Sequence, residues 1–382
     1  MESSDSKRSG GLLTLGFAAL VVFCLFAALE LSNASNAPRN PKKAIWGPSQ
    51  VDGKTAFPIY KKLGISIYSM ALDWSRVAAT KPANPTDPND PAYKWPGSVT
   101  GSVREAGAAG LRVSLTLTKA PTWANGGKPR QWAPTNPTDY ANFATAAAKK
   151  FPNAHLWMVW GEPTRRTNFM PYDKAPSQVR TLTPGQAQGP RRYARILDAA
   201  YQALKSPSLP GSDQNLVIGG STFTAGDIRT PLWLKYMRLP NGMPPRLDLY
   251  GHNVFSTREP DLQNPHSKFN ALDFSEVGLL EKLVTENLGR PYGKSMIPLF
   301  ISEWCVPTSS ADGEFNYWVD PPDQAKWIKS AFDIVNGHNF IYALGWIHLS
   351  DERKNGIHPR TACGLLNEDG SNKPGFDAFR RG

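Results

Sequence analysis

The stretch HLWMVWGEP, residues 155–163, decides the fold: an apolar run with no solvent-facing alternation ends on Glu162 and is stopped by Pro163. Runs of this kind, buried on both faces, belong to parallel sheets, and a proline fixes the chain direction just past the carboxylate. IPLFISEWCVP, residues 297–307, repeats the design around Glu303. Six further runs of the same character complete a series of candidate strands at 44–46, 65–69, 112–118, 156–160, 216–219, 247–252, 299–303 and 343–348. Between them, segments such as 140–150, 193–205, 274–288 and 323–336 carry apolar residues at three-and-four spacing, as amphipathic helices do. Eight alternating units over residues 44–382 predict an α/β fold, a single (β/α)8 TIM barrel closed on itself. No glycine-rich phosphate fingerprint follows any of these strands, so a nucleotide-binding sheet is disfavoured and no cofactor is expected.

Two connections are long and rich in proline, 81–96 after the second strand and 163–190 after the fourth. Both leave strand C-terminal ends, the face on which barrels of this type build their sites, so they are expected to shape a groove. The second carries Arg165 and Arg166, which fit either an anion-preferring subsite or a solvated loop.

The 382 residues are 40% hydrophobic, 11% aromatic and 20% charged, the balance of a globular chain with a sizeable core. Twelve tryptophans supply flat apolar faces that suit either core packing or stacking against sugar rings. A formal charge of +11 favours anionic surroundings such as acidic lipid or acidic polysaccharide, or a basic surface kept for solubility. No basic run with interleaved aromatics is present, so nucleic acid is not expected as a partner. Residues 10–29 are uncharged and largely apolar, follow Lys7 and Arg8, and are long enough to span a bilayer. They read as an uncleaved signal anchor, with a cleaved signal peptide as the alternative, because Pro38 follows the nearest small-residue site. The expected organisation is a cytoplasmic tail at 1–9, a transmembrane span at 10–29, a linker at 30–43 and the barrel outside the membrane.

A single Glu at a strand end is ordinarily a solvated cap or an ion-pair partner. Two of them, on the fourth and seventh strands of a barrel, are what glycoside hydrolysis needs, one as proton donor and one as nucleophile or base. The chain resembles clan A glycoside hydrolases, especially the family 39 and family 5 barrels. WGEP at 160–163 resembles the clan's acid/base motif and ISEW at 301–304 its nucleophile motif. APTW at 120–123, the sixth-strand segment 248–255 and GLLNEDG at 364–370 followed by Lys373 and Pro374 are further matches. The resemblance implies a retaining hydrolase of an extracellular polysaccharide or oligosaccharide, with Glu162 as acid/base, Glu303 as nucleophile, and Trp123, His252, Trp304 and Trp346 as substrate contacts. Glu162 would then hold the proton at rest, its carboxyl raised relative to that of Glu303. A catalytically silent glycan-binding barrel is the alternative.

The chain departs from the clan at three places: Gly161 stands where an asparagine is usual, Ser69 where an arginine is, and Val254 where a tyrosine is. No histidine pair has metal-ligand spacing with carboxylate support, so no catalytic metal is expected. His348 and His358 read as structural residues beside a strand, and Asp73 as either a helix cap or a group facing substrate. Cys24 lies within the apolar span, which leaves Cys305 and Cys363; two buried thiols are the simpler expectation, a disulfide across neighbouring barrel loops the other.

Overall fold

The structure, a computed structural model, describes residues 39–265, 270–352 and 360–382. Eight parallel strands close into a barrel: β1 (Lys43–Trp46), β2 (Ile67–Asp73), β3 (Arg112–Thr118), β4 (Ala154–Val159), β5 (Leu216–Phe223), β6 (Leu249–Asn253), β7 (Leu299–Trp304) and β8 (Ile341–Ile347). Each strand pairs with its chain neighbour, and β1 closes the ring by pairing with both β2 and β8. The expected series is therefore present, with β2 running on to Asp73 where the pattern suggested an end at Ser69.

Among the described residues eight helices of six residues or more surround the barrel, with a one-turn helix at Trp74–Val77 directly after β2: α1 (Phe57–Lys62), α2 (Gly97–Ala108), α3 (Pro137–Lys150), α4 (Pro184–Leu204), α5 (Thr230–Tyr236), α6 (Val277–Val284), α7 (Pro321–Gly337) and α8 (Pro374–Arg381). Their starts are written locally. Asn136 accepts from the Thr138 amide ahead of a first-turn proline in α3, and Thr183 with Gln186 forms a capping box at α4. Lys149 and Lys150 close α3 where the helix dipole favours cations.

Alternation along the strands divides the core. Ala44, Ile67, Leu156, Met158, Ile218, Leu249, Phe300 and Ala343 form one cluster that fills the lumen, while a larger cluster packs the outer face of the sheet against the helices. At the bottom of the barrel Lys43 is buried, donating to the carbonyls of Leu63 and Arg380. Both ends of the described chain meet there, the Asn40 amide donating to the Gly382 carbonyl at 3.2 Å. Among the described residues no helix is long and apolar enough to cross a membrane, and the predicted span at 10–29 lies outside them.

Candidate active site

The C-terminal ends of the strands form a rim where backbone geometry is unusual. Lys119 after β3, Trp160 and Glu162 after β4, Ser221 in β5 and His348 after β8 all have left-handed φ, between 46° and 65°. Such conformations cost a non-glycine residue on the order of 1–3 kcal/mol, and they gather where a site constrains the chain.

Glu162 is 9% exposed and surrounded by donors. The Asn253 amide donates to Oε1 at 3.0 Å, and Arg165 Nη1 and Asn168 Nδ2 donate to Oε2 at 2.7 and 3.0 Å. Arg165 lies over the ring of Phe223, 4.8 Å from its centroid. Arg166 is also engaged, its backbone amide on Asp227 and its guanidinium on the Tyr172 carbonyl. Neither arginine is thus a simply solvated charge.

Glu303 reaches the same cavity because β7 is irregular. The pairing of β6 with β7 slips between His252 opposite Ile301 and Asn253 opposite Glu303, and the pairing of β7 with β8 slips over the same residues. An extra residue of this kind reverses the alternation beyond it. Ser302 and Glu303 consequently both meet Asn253, which accepts from Ser302 Oγ at 2.6 Å and hydrogen-bonds Glu303, so one amide touches both carboxylates. Burial, then the charge of Glu162, then that of Glu314 push the Glu303 carboxyl up to about 8, with Arg165 and Asn253 pulling the other way. Glu303 thus carries a raised carboxyl beside the charge of its neighbour, while Glu162 meets a guanidinium and two amides.

Three cavities adjoin at Glu303. The first, about 770 Å³, is lined by Glu162 and Arg165, by Phe223 and Phe255, and by residues 313–317 of the loop after β7. The second, about 490 Å³, lies over β1 and β8 between Trp46, Glu314, His348 and Glu352. The third, about 220 Å³, forms the floor, with Trp46, Lys119, Glu162 and Asn168 in its wall. Glu314 pairs with His348 Nε2 at 3.0 Å. Burial works against the His348 cation, but Glu314, Glu352 and Asp312 hold it above its ordinary range.

The four expected substrate contacts lie elsewhere. Trp346 is fully buried on the outer side of β8, edge-on to Trp304 and to Phe379, because the lumen face of that strand belongs to Ala343 and Ile347. Trp304, also fully buried, is turned outward by the irregularity in β7 and packs on Phe274. His252 points outward for the same parity reason: Leu249 faces the lumen and so does Asn253, leaving His252 between them to bond Thr222 Oγ1 and the Leu272 carbonyl. Trp123 is half-buried, its indole donating to the Ala78 carbonyl and meeting the edge of Trp74. These residues support the site from behind, and the indole that does face it is Trp46. Asp73 holds the N-cap position of the short helix Trp74–Val77 without a side-chain bond to its amides, and lines none of these cavities; it pairs with Arg130 at 3.1 Å. Cys305 and Cys363 form a disulfide, so the expectation of two thiols is corrected: adjacent barrel loops bring their Cα atoms to 5.7 Å. His358 lies outside the described residues, among which no cluster of His, Cys, Asp and Glu is arranged to hold a metal ion.

No family model matches the chain, and none of the curated proteins does. Solved structures do. A family 39 glycoside hydrolase from the gut symbiont Bacteroides cellulosilyticus WH2 superposes with a TM-score of 0.60 at 15% identity, over 90% of this chain and 63% of that one. A monomeric β-xylosidase from Caulobacter crescentus CB15 gives 0.55 at 16% identity, over 92% and 69%. Native xylanase 10B from Thermotoga maritima gives 0.55 at 13% identity, over 89% and 94%. The chain thus spans less than two thirds of the length of the family 39 protein, and its barrel is the fold shared by these glycoside hydrolases.

Proposed function

We propose that the protein is a retaining glycoside hydrolase that cleaves O-glycosidic bonds of an extracellular polysaccharide or oligosaccharide, with Glu303 as nucleophile and Glu162 as acid/base. The observation that carries this reading is the convergence of the two carboxylates, from β4 and β7, on one cavity and on one shared amide, Asn253. In double displacement Glu303 attacks the anomeric carbon while Glu162 gives its proton to the leaving oxygen; water then attacks the glycosyl-enzyme with Glu162 as base. Asn253 holds both carboxylates in place. The reaction needs the shared proton on Glu162 and the charge on Glu303. In the free protein Glu162 is filled with donors, so a sugar entering over Phe223 must displace Arg165 and release Oε2. The wall of the cleft carries four carboxylates, Glu162, Glu303, Glu314 and Glu352, so the excess positive charge of the chain lies mainly elsewhere and a neutral sugar fits better than an acidic one. The apolar segment at 10–29 supports placing the barrel outside a membrane, tethered by that segment or released from it.

The ion pair of Glu162 with Arg165 also favours a second reading, a barrel that binds glycan without turning it over, since the acid/base is occupied at rest. One experiment separates the two: release of reducing sugar from aryl glycosides and wall polysaccharides by the barrel domain. The hydrolase reading expects turnover that falls by several orders of magnitude in E162Q and E303Q, with azide partly restoring the E162Q variant. Absence of turnover on every substrate, or full activity in E303Q, would overturn it.

A further inference from the structure

The three cavities have a feature that the carboxylate pair alone does not require: they continue past it on both sides. Glu303 lines all three, Glu162 the first and third, and Trp46 the second and third. A site that removes one terminal sugar needs a blind pocket on one side of its carboxylates. Among the described residues the cleft runs from the β5–β7 side, across the pair, to the β1–β8 side.

The two arms differ chemically. The β1–β8 arm sets Glu314, His348 and Glu352 around Trp46, Pro48 and Ile347, with Trp46 as its one indole among the described residues. The β5–β7 arm is walled by consecutive aromatic rings: Phe223 to Phe255 at 5.8 Å, Phe255 to Phe315 at 4.9 Å, and Phe315 to Tyr317 at 5.8 Å between centroids. Phe315 and Tyr317 stand on the long loop after β7, and Trp318 beside them is 55% exposed.

That loop is built to hold its rings in place. The Asp312 carboxylate accepts from the amides of Glu314 and Phe315 at 2.8 Å each and from the Ala362 amide at 2.7 Å. The Gly313 amide donates to the Arg360 carbonyl, the Thr308 amide to the Ala362 carbonyl, and the Cys305–Cys363 disulfide ties the base of the loop to the same neighbouring segment. Aromatic faces fixed in advance at a wet cleft lose little entropy when a flat, partly apolar ring stacks on them. Sugar rings have such faces, and neutral ones meet no charge conflict with the nearby carboxylates.

We infer that the β5–β7 arm is a distinct sugar-binding subsite, with Phe255, Phe315 and Tyr317 as its platform, and that the cleft takes a neutral oligosaccharide across the carboxylate pair and cuts within chains. The inference rests on the hydrolase reading for the cut and on the cavity alone for the binding. The test uses the full chain with E162Q to hold ligand uncut, titrated calorimetrically with β-1,4-linked xylo-, cello- and galacto-oligosaccharides of increasing length. At least one series gains about tenfold or more in affinity between the disaccharide and the tetrasaccharide, and F315A in the same background loses about that factor on the tetrasaccharide. F315L, which keeps bulk without the ring, loses most of it as well, and circular dichroism confirms that both variants fold. In the active chain, F315A lowers the ratio of kcat/KM on the tetrasaccharide to that on an aryl monosaccharide about tenfold, and polymer is first cut to fragments of intermediate length. Length-dependent binding without turnover would sink the hydrolase reading and leave the subsite standing. Turnover of aryl monosaccharides with affinity flat in chain length, release of single sugars from polymer, or no binding by any series would overturn the subsite.

Discussion

A one-residue irregularity in β7 brings Glu303 into the cleft and turns Trp304 away from it, so two neighbouring side chains exchange the places that strict alternation assigns. The bulge leaves no mark in ISEW that pattern reading could use, and it is the clan resemblance that puts Trp304 at the substrate. Trp346 and His252 are different, because parity alone would have placed them: Ala343 and Ile347 share the inner face of β8, and Asn253, not His252, shares that of Leu249. Motif position outweighed alternation there, and Asn253 was passed over although it lies in the segment singled out. The burial that encloses Glu303 also fixes a pH dependence. Its carboxyl is raised from the ordinary 4.5 to about 8, so the attacking charge is scarce at neutral pH and kcat/KM should climb toward about pH 8 on its acid side. The same group contributes stability that is full below about 4.5 and is lost as pH rises through 8. Arg165 holds the carboxyl down, so R165Q should move the acid limb of the pH–kcat/KM profile upward. An unmoved limb would show that Arg165 does not act on Glu303. His252 has the opposite sign: burial lowers it to about 4 against the hydrogen bonds it makes, so its contribution is lost as pH falls from about 6.5 through 4.

At the scale of elements, the strands were legible because each is a short apolar run bounded by turn residues, and the helices because capping residues and three-and-four spacing agree. The loops were not. Asp312 turns locally onto the amides of Glu314 and Phe315, but nothing in residues 305–320 announces that it will also take the Ala362 amide, a contact between segments distant in sequence, or that Phe315 will stand over the cleft. Close packing between β7 and β8 is similarly silent in sequence: a methyl group on Gly345 would overlap the Ser302 carbonyl, which fixes glycine at that position. The disulfide closes a span of 58 residues, and by chain entropy its loss should cost about 4 kcal/mol. C363S is therefore expected to lower Tm by several degrees and, because Cys305 anchors the aromatic loop, to weaken oligosaccharide binding. A thermal melt with and without reductant checks the first expectation; equal melting temperatures for C363S and the oxidised parent would exclude a stabilising bridge.

For the molecule as a whole, one closed core explains why a barrel could be read from eight scattered runs, none of which is buried until its neighbours are in place. Residues 39–382 contain every strand and helix described, so a chain beginning there should be soluble and fold cooperatively, as one calorimetric transition would show. The hydrogen bond from Asn40 to the Gly382 carbonyl adds something further. With residues 40 and 382 together at the foot of the barrel, a short peptide could join them in the 39–382 domain and new ends could be opened in a surface turn without disturbing the fold, which a circular permutant would test by retaining its melting temperature. The same geometry decides which way the protein looks. Arg39 lies at the foot, on the side opposite the rim of Glu162 and Glu303, so a carrier joined there would leave the open mouth of the cleft free.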